Sequence, residues 1–274
     1  MTVVVKIGGA KAVDPAGAVE DIAGLVAEGE PVGVVHGGST AVDDLLDRLG
    51  IEPTYVETPD GIVGRFTDET TMAAFTMAMG RVNTDLVAAF REAGVDAVGL
   101  SGVDGGLITG ARKSAVRVVE DGKKRIKRGD HSGKIESVNA ELLETLLADG
   151  YTPVAGPPML ADDGVPVNTD ADRAAAAVAG ALGATLVILT DVAGVYADPD
   201  DPGTLIESVT TPDGYDALTD AAEGFMIKKI MAATEAIERG ANEVIVADAN
   251  ADAPVTAALE ESGTHIHPSA VVDP

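Results

Sequence analysis

Short runs of apolar, largely β-branched residues recur at 2–7 (TVVVKI), 31–36 (PVGVVH), 96–100 (DAVGL), 152–156 (TPVAG), 184–190 (ATLVILT) and 242–247 (NEVIVA). They are continuous rather than alternating, which predicts strands covered on both faces, as in a parallel sheet. Between several of them stand segments whose apolar positions follow a helical period. These are AVEDIAGLVAEG, TAVDDLLDRLG, ETTMAAFTMAMGRVNTDLVAAFREAG, NAELLETLLADG and ADRAAAAVAGALG, each closed by a glycine suited to a C-cap. Strand and helix in alternation predict an α/β fold, a three-layer αβα sandwich around a largely parallel sheet. Between about 101 and 135 the period changes to two, through LITGARKSAVRVVEDGKKRIKRG, with a turn at EDGK. This predicts an antiparallel hairpin, its loop near 120–124, projecting from the side of the sheet. No repeat or long linker interrupts the chain, and the turn-rich stretch 197–214 is too short to separate independent domains. Residues 1–274 are expected to form one domain of two lobes, 1–180 and 181–274.

Charge changes the picture in one place. The chain carries 45 Asp and Glu against 19 Lys and Arg, a formal net charge of −26, yet remains 46% hydrophobic. Enough apolar surface is present to fold, so this is an acid-coated globular protein rather than a disordered acidic tail. Small aliphatics, 32 Gly, four Phe, four Tyr and no Trp fit a protein kept soluble in a salt-rich cytosol, the composition expected of a halophile. Against this background, residues 112–134 collect nine of the 19 basic residues with three acids. Lys123, Lys124, Arg125, Lys127 and Arg128 crowd the predicted hairpin. A charge run is ordinarily a solvated loop. Nucleic acid is disfavoured as its partner, since the island is small, lacks interleaved aromatics and sits on a chain that repels phosphates.

Cysteine is absent, which excludes disulfides, thiolate metal sites and cysteine nucleophiles. The N-terminus MTVVVKIGGAKAV has no signal-peptide pattern, and no apolar run approaches the roughly 20 residues of a membrane span. The expectation is a soluble, cytoplasmic protein.

Ligands of parallel α/β sheets gather at the carboxyl ends of strands. Lys6 with Gly8 and Gly9 follows the first strand, His36-Gly37-Gly38-Ser39 the second, and Thr190-Asp191 closes the fifth. Two glycine turns leading into helices offer backbone N–H groups to an anion, although each alone is equally a tight turn. Neither G-x-x-x-x-G-K-[ST] nor a G-x-G-x-x-G after a strand is present. In NTDADRAAAAVAGALG, Asn168, Asp170 and Asp172 precede a helix. They fit helix capping, with more polar groups than a cap requires. In GFMIKKIMAATEAIERG, Lys228 and Lys229 lie in the first turns of a helix, where the dipole disfavours cations, so either an anionic ligand is near or the lysines are solvated. No cluster with metal-ligand spacing is seen.

In order and nearly end to end, VVVKIGGA, VHGGS, GRFTD, NTDADRAA, LTDVAGVY and GFMIKKIMAA resemble the amino acid kinase superfamily, in its acetylglutamate kinase branch. That resemblance implies transfer of the γ-phosphoryl group of ATP, with Mg²⁺, to a side-chain carboxylate, giving an acyl phosphate. It implies that Lys6 and Lys229 stabilise the transferring group, that Asp172 positions both, and that Gly8 and Gly9 cradle the phosphates. By the same resemblance Gly37, Gly38 and Ser39 contact substrate and phosphate, Arg65 holds the substrate's α-carboxylate, Asn168 orients it, and Thr190, Asp191 and Tyr196 serve the nucleotide. Residues 1–180 then form the acyl-acceptor lobe and 181–274 the nucleotide lobe, and a homodimer is usual. Ser39 departs from the branch, which usually has a third glycine there, and Lys228 stands beside the lysine preferred on register, Lys229. KKRIKRGDHSGKIESVN together with GRFTDE resembles a subgroup whose substrate, glutamate or α-aminoadipate, is joined through its amino group to a small acidic carrier protein. The basic hairpin then becomes a candidate carrier-binding arm. A conventional N-acetylglutamate kinase and a non-catalytic binder of nucleotides and amino acids remain as alternatives.

Overall fold

The computed structural model describes residues 1–9, 15–59, 61, 63–120 and 122–271. In chain order the elements of the first part are β1 (Val3–Ile7), α1 (Pro15–Ala27), β2 (Val32–His36), α2 (Ser39–Arg48), β3 (Tyr55–Glu57), β4 (Val63–Arg65), α3 (Glu69–Glu92), β5 (Ala97–Gly102), β6 (Ile108–Glu120), β7 (Lys123–Val138) and α4 (Ala140–Ala148). The remainder are β8 (Thr152–Ala161), β9 (Pro166–Val167), α5 (Ala171–Leu182), β10 (Thr185–Thr190), β11 (Ser208–Val209), α6 (Pro212–Ala221), α7 (Phe225–Glu238), β12 (Glu243–Asp248), α8 (Pro254–Glu260), β13 (Thr264–Ile266) and α9 (Pro268–Val271).

Eleven strands form one sheet in the order β11-β13-β12-β10-β1-β2-β8-β6-β7, with β5 and β9 also paired to β8. Neighbours are parallel except β12/β13, β6/β7 and β8/β9. Within this sheet the strands from residues 1–180 lie on one side of the β1/β10 seam and those from 181–274 on the other, while β3 and β4 pair with each other in a separate two-stranded antiparallel sheet.

Five of the six continuous apolar strands are buried on both faces, and the pleat sorts them. β5 departs from that expectation, with Gly99 exposed and Val98 and Leu100 half-buried, because among the described residues it pairs with β8 alone. Val4, Val35, Leu186 and Ile188 pack with the alanines of α5 and with Ile230 and Ala233 of α7. Val3, Val5, Ile7, Val34, Val187 and Leu189 pack on the opposite face with Ile22, Leu86, Phe90 and Val255 from α1, α3 and α8. The result is the expected three-layer sandwich. Lys6 shares the face of Val4, so the side-chain period of two aims it at α5.

Small residues let α5 and α7 approach closely. A Cβ on Gly180 would lie 2.4 Å from Arg239 Cβ, and Arg173 grips Glu235 of α7 with Nε–Oε2 at 2.9 Å and Nη2–Oε1 at 2.5 Å. The predicted hairpin forms from β6 and β7; of its loop, Asp121 lies outside the described residues. Among the described residues its base, Thr109 and Gly110, pairs with β8, so the distal half extends beyond the main ladder, with one face covered at buried Val118. Among the described residues no helix is long and apolar enough to cross a membrane.

Candidate active site

The parallel register places Lys6 beside Val35 and Ile188, so the carboxyl ends of β1, β2 and β10 open side by side where the strand order changes direction. The two glycine turns that follow are in contact. A Cβ on Gly9 would sit 2.3 Å from Gly38 N, and one on Gly37 would sit 3.4 Å from Ala171 Cβ at the start of α5. Gly9 O accepts from Thr40 N at 3.2 Å and from Ser39 Oγ at 3.5 Å, while Gly37 N donates to Ile7 O at 3.1 Å. Gly8, Gly9, Gly37, Gly38 and Ser39 thus belong to one structure, closed by the N-terminus of α5.

At that N-terminus the sequence NTDAD divides its labour. Asp170 is the cap, accepting from Asp172 N at 2.9 Å and Arg173 N at 3.3 Å. Asp172, two residues inward in the first turn and buried, lies with Oδ1 2.6 Å from Lys6 Nζ and Oδ2 3.4 Å from Lys229 Nζ. The Lys229 contact is a hydrogen bond, and the Lys6 contact is a short ion pair. Burial pushes the Asp172 carboxyl up, but Lys6 and Lys229 outweigh it and bring it down to about 2. Burial, then the charge of Lys6, lower the Lys229 ammonium, against the pull of Asp172. Two buried ammonium groups share one carboxylate, a net charge of one positive unit.

The neighbouring Lys228 leaves this triad and donates to Val63 O at 2.6 Å, on the β3–β4 hairpin. Adjacent residues on a helix diverge by about 100°, so only one of the two can face Asp172.

Arg65 ends β4 with its guanidinium largely buried. Nη2 donates to Asp43 Oδ1 at 2.6 Å, Tyr55 Oη at 3.1 Å and Ser39 O at 3.2 Å, while buried Nε has no partner. One edge is therefore fixed and another retains an unused donor. Asn168 Nδ2 donates to Thr67 Oγ1 at 3.0 Å, two residues beyond Arg65. His36, fully buried under the second glycine turn, is driven down to about 4 by burial against the bond to Gly37. It is neutral, with Nε2 accepting from Asn83 at 3.0 Å, which assigns the proton to Nδ1, 3.3 Å from Gly37 O. On the other side of the seam, Thr190 Oγ1 donates to Asp191 Oδ1 at 3.1 Å, and Tyr196 forms a bridge with Leu205 at the neck of the following loop. Beyond it is a cleft of about 390 Å³ lined by Ala193, Leu205, Asp248, Pro254 and Gly263.

Residues 1–248 match the amino acid kinase family. The chain belongs to that family. It is 41% identical over 264 residues to a LysW-aminoadipate kinase of Deinococcus radiodurans, across 96% of this chain and 90% of the relative. It is also 42% identical over 247 residues to an acetylglutamate kinase of Methanopyrus kandleri, across 89% of this chain and 93% of that one. Among solved structures, N-acetylglutamate synthase of Neisseria gonorrhoeae superposes with a TM-score of 0.78 at 26% identity, covering 97% of this chain and 59% of the synthase.

The basic arm differs from the single patch its sequence suggests. Residues paired directly across an antiparallel ladder share a face. Arg125 and Lys127 pair with Val118 and Val116, and Lys123 shares their face by the pleat; Val118 is buried and Lys127 Nζ lies 4.5 Å above the Phe66 ring. Lys124, Ile126 and Arg128 pair with Val119, Arg117 and Ala115 on the other face, where Ile126 is 67% exposed.

Sequence reasoning missed Asp43, Tyr55 and Thr67 as site residues. Asp43 reads as the polar side of an amphipathic helix, and Tyr55 belongs to a three-residue strand too short for any period to register.

Proposed function

We propose that this chain is an ATP-dependent kinase acting on the side-chain carboxylate of glutamate or α-aminoadipate whose amino group is joined to a small acidic carrier protein. The product is an acyl phosphate, of use in arginine or lysine biosynthesis. The observation that carries the reading is the buried, net-positive Lys6–Asp172–Lys229 triad at the junction of two glycine turns. A carboxylate acceptor is already a nucleophile. One of its oxygens bonds to the γ-phosphorus as the bond to the β,γ-bridging oxygen breaks, and ADP leaves with that oxygen's charge. The work left to the protein is alignment and neutralisation of the equatorial oxygens, which Lys6, Lys229 and the turn amides of Gly8, Gly9, Gly37 and Gly38 supply. Asp172 holds both ammonium groups, Arg65 and Asn168 take the acceptor's carboxylate and linkage, and Thr190, Asp191 and Tyr196 serve the nucleotide. Mg²⁺ arrives with the nucleotide's phosphates.

The carrier is supported by the Deinococcus relative's name and by the basic arm, whose Lys123, Lys124, Arg125, Lys127 and Arg128 complement an acidic partner. A soluble, cytoplasmic homodimer is part of this reading, supported by the edge strand β5 beside α3, on which Met77 is 61% exposed. The test offers carrier-linked glutamate, carrier-linked aminoadipate and free N-acetylglutamate in parallel with ATP. Preference for a carrier-linked acceptor is expected. Efficient turnover of free N-acetylglutamate alone would favour the second reading, a conventional acetylglutamate kinase, which the Methanopyrus relative supports. Absence of turnover with every acceptor would leave a non-catalytic binder.

A further inference from the structure

Asp130 is a buried carboxylate, 3% exposed, which the phosphoryl-transfer chemistry above does not use. It lies at the root of the basic arm, in the GDHS stretch just past the positive-φ Gly129. Its Oδ1 accepts from Thr67 N at 3.2 Å and its Oδ2 from Ser132 Oγ. Around it three chain segments are stitched together: His131 N donates to Thr67 O at 2.7 Å, Asn168 N to His131 O at 2.7 Å, and Gly133 N to Asn168 O at 2.8 Å. The circuit closes through the Asn168 carboxamide, which donates to Thr67 Oγ1 at 3.0 Å. Thr67 is fully buried, so the bonds to its N–H, carbonyl and hydroxyl lie in surroundings of low dielectric constant. Lys127, four residues up the arm, lies on the adjoining Phe66 ring.

The arm therefore reaches both residues assigned to the acyl acceptor. Asn168 is bonded to it through its main chain, its carboxamide is bonded to Thr67, which the arm holds, and Arg65 is two residues from Thr67.

We infer that Asp130 is a positioning residue for the acyl acceptor, fixing Thr67 and through it the Asn168 carboxamide, so that the carrier-binding arm and the acceptor-binding wall are one mechanical piece. This rests on the acceptor role proposed for Arg65 and Asn168. A buried carboxylate bonded by a backbone N–H and a hydroxyl imposes more order than a neutral group, since charge-assisted bonds are roughly twice as strong. Docking on the arm then bears directly on acceptor geometry, and the arm's contribution extends beyond the rate of encounter.

The test compares Asp130→Ala, Asp130→Asn and Thr67→Val, the last of which removes the hydroxyl acceptor of Asn168 while conserving shape. Asp130→Ala and Thr67→Val are each expected to raise KM for the acceptor by roughly tenfold, with KM for ATP within about twofold of wild type. Asp130→Asn keeps an acceptor for Thr67 N but not the charge, and should recover about half of the loss, a rise of roughly threefold. The double variant Asp130→Ala/Thr67→Val should be little worse than either single change, because both break one circuit. Equal rises in both KM values, additive losses, or an unchanged acceptor KM would overturn the inference. The assay runs with carrier-linked aminoadipate and with free N-acetylglutamate, so failure of the carrier reading alone leaves it testable on the free acceptor. If neither acceptor turns over, hydrogen exchange decides: the amides of Thr67 and Asn168 should exchange faster in Asp130→Ala and Thr67→Val than in wild type while residues 115–119 do not change, and unaltered protection would overturn it.

Discussion

Replacing Asp172 with Asn removes the one negative charge between two buried ammonium groups at 2.6 and 3.4 Å. At an effective dielectric constant of about 20 those separations correspond to attractions on the order of 6 and 5 kcal/mol, before the several kcal/mol of desolvation that each buried ion costs. The balance can be read from the carboxyl itself. Its fall from 3.8 to about 2 is worth about 2 kcal/mol in favour of the ionised form. Asparagine forfeits that margin and leaves Lys6 and Lys229 repelling each other, so a loss of about 2–4 kcal/mol is expected at neutral pH, a melting point lower by on the order of 5–10 °C.

The sign with pH follows from the depressed carboxyl. Asp172 contributes stability above its unfolded value near 3.8 and loses it as pH falls through about 2, so wild type and Asp172→Asn should converge in stability between about pH 4 and 2. Adding Lys229→Met to Asp172→Asn removes the repulsion and should recover about half of the loss, whereas Lys229→Met alone should cost little stability while abolishing turnover. Urea melts at several pH values, with kcat measured on the same preparations, check each step. Equal stability of wild type and Asp172→Asn, or a double variant no firmer than Asp172→Asn, would refute the account of the triad as a strained, anion-seeking cluster.

Lys6→Ala and Lys229→Ala should each lower kcat by roughly two powers of ten or more, and Lys228→Ala by less than about tenfold, because Lys228 bonds Val63 O rather than Asp172; steady-state kinetics would show the order reversed if the lysines were misassigned. Arg65→Lys lacks the second guanidinium edge, with its unpartnered Nε, that remains once Nη2 is held by Asp43, Tyr55 and Ser39, so KM should rise for the acceptor far more than for ATP; equal rises would remove Arg65 from the acceptor site. Reversing Arg117, Lys124 and Arg128 to Glu on the outer face of the arm should slow association with the carrier and spare turnover of a free acceptor, measured as kcat/KM across salt concentrations. Lys127→Glu should instead impair both acceptors, since it also lifts a cation from Phe66.

Whatever depends on period was legible in the sequence: the six apolar strands, of which all but β5 are buried, the helices ending at glycines, and the arm's alternation. Lys6 at a strand end, Asp172 at a helix start and the pair Lys228–Lys229 in a helix's first turns stood out from the residues themselves, whereas the role of Asp172 and the choice of Lys229 over Lys228 came with the family resemblance. What stayed hidden depends on contacts distant in sequence. The β3–β4 hairpin has strands of three residues, below the length at which alternation can be distinguished from coil. Its partner Asp43 lies 22 residues from Arg65, and nothing in TAVDDLLDRLG sets Asp43 apart from Asp44 or Asp47. Asp130 is hidden for the opposite reason, since in a run of lysines and arginines a single acid reads as a local counterion, while its bonding partner Thr67 is 63 residues away.

Two positive features in a chain of net charge −26 frame how an anionic substrate reaches this site. At about 0.1 M salt the acidic surface repels ATP and an acidic carrier alike, and the arm offsets that repulsion over a distance of roughly 10 Å. At about 1 M salt the screening length falls to about 3 Å, and both the repulsion and the steering vanish. What survives is contact: the buried triad, shielded from solvent ions, and the residues of the arm that touch the partner directly. Among those, exposed Ile126 between Lys124 and Arg128 supplies apolar area that salt strengthens rather than weakens, while Lys127 is already committed to Phe66. A carrier bound at high salt would therefore be held by the outer face of the arm, with the inner face left to keep Thr67 and Asn168 in register beneath it.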